Sequence, residues 1–203
     1  MTETGGRRPR GRPARHAPGE LLEIVVGVFN ARGYDATSME DLARASGLTK
    51  SSIYHHVSGK EELLRLAVAR AVDELLAVLD EPASTRGPAV ERLEHVVRRS
   101  AHVLVAQLPY VTLLLRVRGN TGAELWALER RRDVDRRLSA LVQAAIDEGD
   151  VRADLDPALV TRLLFGMVNS LTEWWRPGGA HTADDVAAAI VAVAFDGLRR
   201  PGP

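Results

Sequence analysis

Three residues near the N-terminus restrict the fold more than any other feature: Ala43, Gly47 and Ile53, spaced i, i+4 and i+10. A small side chain lets two helices cross closely, glycine carries the backbone through a tight turn, and a branched apolar residue anchors the underside of the next helix. That combination is what a helix-turn-helix requires. The flanking residues supply its ends. Thr37 and Glu40 have capping-box spacing ahead of a short helix that ends near Gly47, with Leu42 and Ala43 facing inward. Thr49 is placed to cap a third helix that buries Ile53 and Val57 and leaves Lys50, Ser51, Tyr54 and His55 outside. Ser58 and Glu61 repeat the capping-box spacing before a longer helix running to about Asp80. Upstream, Leu21, Leu22, Val25, Val28 and Phe29 recur at helical spacing until Gly33 stops the run.

The remainder has the same period. Helices are expected near 89–107, 110–118, 121–149, 156–176 and 182–198, broken by Pro109, Gly119, Gly149 to Pro157 and Pro177 to Gly179, with residues 82–88 as a linker or turn. Nowhere does the chain alternate as a strand would. The expected class is all-α, with an N-terminal three-helix helix-turn-helix domain (19–65) and a C-terminal helical domain (66–203). Residues 1–18, rich in Gly, Pro and Arg, bury too little to offset the entropy of ordering and read as a flexible basic arm.

Formal net charge is zero, so only its distribution is informative. Arg7, Arg8, Arg10, Arg12 and Arg15 face only Glu3 in the arm, and both lysines of the chain, Lys50 and Lys60, lie within the first 60 residues. Cysteine is absent, which excludes disulfides, thiolate metal sites and thiol nucleophiles and suits a reducing cytoplasm. The longest fully apolar run, Val186 to Phe195, is far short of the ~20 residues that span a bilayer, so a soluble cytoplasmic protein is expected, with no membrane partner. No phosphate loop, nucleophile elbow or paired-carboxylate arrangement marks a catalytic site. His55 and His56 point about a hundred degrees apart on a helix, with no third ligand near in sequence, and a stripe of Glu91, Glu94, His95 and His102 is more economically a surface. We therefore expect no catalytic residue, no metal and no cofactor.

The run Thr37 to Leu64, TSMEDLARASGLTKSSIYHHVSGKEELL, closely resembles the pattern of the TetR family of repressors, departing at Val57, where the family usually has Phe. With the first helix, the resemblance covers roughly the first third of the chain. It implies that the segment beginning at Thr49 is a recognition helix lying in the major groove of double-stranded operator DNA. Lys50 is then the candidate for a purine edge or a phosphate, and Ser51 and Ser52 are short donors or acceptors that read bases weakly. Tyr54 and His55 match family positions near the DNA backbone, and Thr37 and Lys60 match positions that hold phosphates. Arg10, Gly11, Arg12 and Pro13 look like the core of an AT-hook, whose arginines enter a narrow minor groove.

The resemblance also implies a homodimer, a palindromic operator and a small-molecule effector. Val186 to Phe195 is apolar on every side of its helix, as expected where a helix is covered on more than one face. The helix at 156–176 is similarly broad, and Leu163, Met167, Leu171, Ile190 and Val193 are the expected dimer contacts, with Gly166, Ala188 and Ala192 permitting close approach. Leu104, Leu108, Leu114, Leu125 and Phe165 are the candidate effector lining, although the same apolar residues would serve as an ordinary core. LLLRVRGN, ERRRDVDRR and EWWRPGG look like a subgroup that responds to acyl-CoA thioesters in fatty-acid, phenylacetate or steroid catabolism. Arg131 and Arg132, with Arg130, Arg136 and Arg137, form either a cationic rim for an effector's phosphates or a solvated face with Asp133 and Arg137 as an i,i+4 pair. The rival readings are a helical protein-binding adaptor and a small helical enzyme. Both leave the Thr37 to Leu64 run unexplained.

Overall fold

The computed structural model describes residues 18–198, in which every regular element is an α-helix. They are α1 (Pro18–Arg32), α2 (Met39–Ser46), α3 (Lys50–Tyr54), α4 (Lys60–Asp80), α5 (Pro82–Thr85), α6 (Ala89–Ala106), α7 (Leu108–Arg116), α8 (Gly122–Asp147), α9 (Pro157–Trp174) and α10 (Ala183–Leu198). The chain divides into two compact units after Leu63. Arg10, Arg12 and the rest of the expected arm lie outside the described residues.

In the first unit Leu21, Val25 and Phe29 of α1 form one stripe at i, i+4 and i+8, and they are buried with Val26, Leu42, Ile53, Val57 and Leu63. Gly33 ends α1 at φ +86 and Gly47 ends α2 at φ +68, left-handed conformations that a side chain would strain. The capping box of α2 lies one residue beyond the expected pair. Ser38 is the N-cap, its hydroxyl accepting from the Asp41 amide at 3.2 Å, and the Asp41 carboxylate accepts from the Ser38 amide at 3.0 Å. The hydroxyl and amide of Ser38, with Arg32 and Arg44 beside them, hold the Asp41 carboxyl below the usual carboxylate range. At α4 the Ser58 amide likewise donates to Glu62 rather than to Glu61.

The second unit is built around α6, which packs against α8, α9 and α10 as well as the short α5 and α7. Leu93, Val96, Val97 and Leu104 of α6 meet Leu138 and Val142 of α8, Leu164 and Leu171 of α9, and Val186 and Phe195 of α10 in a buried core. Local chemistry sets the boundaries. Thr121 caps α8, Asp156 caps α9 ahead of Pro157, and Thr182 pairs reciprocally with Asp185 at α10. The break expected at Pro109 falls at Gln107, between α6 and α7, and Pro109 itself sits in the first turn of α7, where its missing N–H costs nothing. The expected linker at 82–88 contains one helical turn, α5.

The C-terminal end of α4 makes several polar contacts with α5 and α8. Arg137 of α8 pairs with Asp80 and donates to the Leu79 carbonyl at 3.3 Å, and the Ser84 hydroxyl donates to the Val78 carbonyl. Just beyond, Glu81 accepts from Arg99 at 3.0 Å and from His95 at 2.7 Å. Arg99 above all, then His95, keeps the Glu81 carboxyl below its ordinary range. Among the described residues no helix is long and apolar enough to cross a membrane.

Candidate functional site

The reading segment is a single short helix on a buried anchor. Ile53 is fully buried, Val57 nearly so, and together they fix the underside of α3. Thr49 caps it, its hydroxyl accepting from the Ser52 amide at 3.1 Å and lying 2.9 Å from the Ser52 hydroxyl. Those two hydroxyls therefore stabilise the helix start as well as facing solvent. Lys50, Ser51, Tyr54 and His55 are exposed, with Tyr54 at 51 %. A cation, a hydroxyl, a phenol and an imidazole thus share one small protruding helix, a donor-rich set suited to phosphates and base edges.

One expected phosphate contact is corrected by the structure, and a second has a structural role of its own. Thr37 is buried, and its hydroxyl donates inward to the Gly33 carbonyl at 2.7 Å, because Ser38 rather than Thr37 is the cap. The Lys60 ammonium donates to the carbonyls of Tyr34 and Thr37, each at 2.9 Å, and lies 4.2 Å from the centre of the Tyr34 ring. Lys60 consequently braces the loop between α1 and α2. A further partner was not legible in the sequence: the Glu40 carboxylate pairs with Lys50. Both groups are well exposed, so water and salt weaken the pair, and a phosphate that replaces Glu40 competes with a modest interaction. Glu40→Gln is expected to tighten binding to any duplex and to steepen its salt dependence, by freeing one cation. Lys50→Ala should weaken operator binding about 5- to 100-fold at unchanged helicity, the range of one base or phosphate contact. Fluorescence anisotropy across a salt series checks both.

Within the second unit, α4, α6, α7, α8 and α9 line a partly open cavity of about 70 Å³. Leu104, Leu114, Phe165 and Arg131, all expected there, line it with Ala71 and Leu75 of α4. Other expected lining residues are corrected. Leu125 is 59 % exposed, because the buried stripe of α8 runs through Ala123, Ala127 and Val134, and a residue two places from Ala123 points about 200° away. Arg132 is exposed for the same reason one step from Arg131, and Leu108 is half-buried outside the lining. The arginine run is largely ion-paired, but the expected Asp133–Arg137 pair is corrected: Asp133 takes Arg130 and Arg136 at i,i+3, and Arg137 reaches across to Asp80 of α4. The Glu91 stripe is also surface chemistry, with Glu94 paired to Arg98, His95 to Glu81 and His102 to Asp184. Ser100, Asn169 and Asp135 of the lining went unpredicted; Ser100 betrayed itself only as a hydroxyl within the apolar stripe of α6.

The expected dimer contacts separate into two sets. Leu163 is 61 % and Val193 70 % exposed, and Met167, Ile190 and Val193 flank a groove of about 360 Å³ with Ser170 and Trp174 between α9 and α10. Leu171 is corrected: it continues the core stripe Val160, Leu164 and Val168 and is fully buried within its own chain. One face of α10 is covered by its own chain through Val186, Ala187, Val191, Ala194 and Phe195. Ala189, Ala192 and Val193 on the opposite side stand open.

Comparison with known proteins matches this architecture at both ends. Residues 22–67 match the model for bacterial regulatory proteins of the tetR family, and residues 86–198 match a tetracyclin repressor-like C-terminal domain. The chain is 29 % identical over 192 residues to the HTH-type transcriptional repressor KstR2 of Mycobacterium tuberculosis, covering 91 % of this chain and 94 % of that one. The crystal structure of a TetR family member from Streptomyces coelicolor A3 is 56 % identical, with a TM-score of 0.84 over 95 % of this chain and 98 % of that one. AibR, solved with isovaleryl coenzyme A and operator DNA, is 24 % identical and shares the fold, with a TM-score of 0.76 over 87 % of this chain and 97 % of that one. A helix-turn-helix carrying an exposed donor-rich helix, followed by a helical domain matched over residues 86–198, leaves no room for the enzyme or adaptor readings: the chain belongs to the TetR family of bacterial regulatory proteins and is a DNA-binding transcriptional regulator.

Proposed function

We propose that the protein is a ligand-released repressor of a catabolic operon, acting in the cytoplasm as a homodimer on a palindromic operator, with a coenzyme A thioester as its effector. In this reading Lys50, Ser51, Tyr54 and His55 face the major groove, and the two α3 helices of the dimer enter half-sites about 34–36 Å apart. The dimer forms through the open faces of α9 and α10, where Leu163, Met167, Ile190 and Val193 meet their counterparts in an isologous, two-fold contact.

One observation carries the reading. Ala71 and Leu75 in the cavity wall belong to α4, the same continuous helix whose first residue, Lys60, braces the loop that leads into α2. A ligand in the cavity therefore touches a structural element that begins in the reading unit. The likeness to AibR, whose crystal holds isovaleryl coenzyme A beside operator DNA, supports the effector class.

Linkage supplies the test. A ligand that releases DNA must bind more weakly to the DNA-bound protein, by the factor through which it weakens DNA binding. Calorimetric titration with isovaleryl coenzyme A should show an affinity lower by about 5- to 150-fold when operator is saturating, the usual range of such coupling. Equal affinity with and without operator would separate ligand from DNA and end this reading.

A further inference from the structure

The cavity contains a polar group without a partner. Ser100 is only 3 % exposed, lines the cavity, and its hydroxyl makes no hydrogen bond with the chain. Serine within a helix commonly donates back to the carbonyl one turn earlier. Several hydroxyls in this chain do so, Thr112 to Leu108 and Thr161 to Pro157 among them, but Ser100 does not. A buried hydroxyl left unsatisfied costs on the order of 1–3 kcal/mol, so it calls for a partner from outside the chain.

The surroundings restrict that partner. Val103, Leu104, Val111, Leu114, Val134, Phe165 and Val168 make the walls apolar, and the charged residues of the lining, Arg131 and Asp135, are half-buried and exposed respectively. A neutral carbonyl oxygen at Ser100 needs only that one donor, whereas an ionised carboxylate needs a counter-charge, which in this lining only the half-buried Arg131 supplies. Size restricts it further. The space of about 70 Å³ is less than half of the ~150 Å³ cavity that takes a benzene ring, so only a small group seats within it. Long acyl chains and fused rings are too large.

Resting on the ligand-released reading above, we infer that the effector's buried part is a short neutral acyl group, whose thioester carbonyl accepts a hydrogen bond from Ser100. The rest of the thioester leaves the cavity past Arg131 and Asp135. Ser100 is thus a specificity-determining residue that tells an acyl group from an alkyl group of equal length.

The test titrates the full-length protein with four probes: isovaleryl coenzyme A, palmitoyl coenzyme A, the thioether S-isopentyl coenzyme A, which lacks the carbonyl, and free coenzyme A. Isovaleryl coenzyme A is expected to bind tightest and to release operator. Ser100→Ala should weaken it roughly three- to tenfold, the worth of one hydrogen bond, while leaving the thioether, operator affinity and helicity unchanged. A double cycle of carbonyl and hydroxyl removal should be strongly non-additive, because either change removes the same bond. Tightest binding by palmitoyl coenzyme A, or an unchanged affinity in Ser100→Ala, overturns this inference and leaves the ligand-released reading standing. Failure of every thioester to bind, with operator binding intact, overturns both.

Discussion

Replacing Leu163 and Val193 together by glutamate is expected to give a folded monomer whose operator affinity is lower by about 10²- to 10⁴-fold. Both side chains are more than half exposed, at 61 % and 70 %, so the chain's own core loses little. In a two-fold contact each substitution appears twice, placing four carboxylates in an apolar seam where their desolvation is uncompensated. The loss of affinity follows from valency. A dimer that has engaged one half-site presents its second reading helix at a high effective concentration, and a monomer forfeits that gain without losing any single contact. Sedimentation gives the oligomeric state and anisotropy the affinity. A variant that stays dimeric would move the interface away from α9 and α10.

The second large effect concerns the underside of the reading helix. Ile53→Ala should destabilise the first unit by about 2–5 kcal/mol, because Ile53 is fully buried and a five-residue helix has too few contacts of its own to close around the void. Chemical denaturation followed by circular dichroism should show an early transition for that unit, with the helices from α5 to α10 melting later. Operator binding should fall in parallel. Tyr54→Phe, which removes only an exposed hydroxyl, should leave the early transition where it is in the native protein. If Ile53→Ala melts like the native chain, the anchor assigned to Ile53 is wrong.

Much of this was legible in the residues themselves. Glycine and proline punctuate the chain so often that each long helix was placed to within a few residues, and the Ala43, Gly47 and Ile53 spacing located the turn between α2 and α3. What failed was the side of a helix or the choice between near-equal signals. Thr37 with Glu40 and Ser38 with Asp41 both satisfy the capping pattern, and only the folded loop turns Thr37 inward. Leu125 and Leu171 are leucines in broadly apolar helices; composition gives their burial propensity but not the direction of the core, which sends one to solvent and the other inside. Pairs such as Lys50 with Glu40 or Arg99 with Glu81 depend on how separate helices cross, and no local spacing encodes them. The cavity shares this property, since its lining is drawn from five helices.

The anchored end of α4 has a mechanical consequence. A helix rises about 1.5 Å per residue, so Leu75 in the cavity wall lies about 7.5 Å along the axis from Asp80. Arg137 of α8 holds Asp80 and the Leu79 carbonyl, and Arg99 of α6 holds Glu81, so the stretch of α4 that borders the cavity is stitched to two of the cavity's other walls. The width of the cavity at Leu75 is therefore set partly by polar links outside it, and Arg137→Ala would slacken that wall without touching a lining residue of α4.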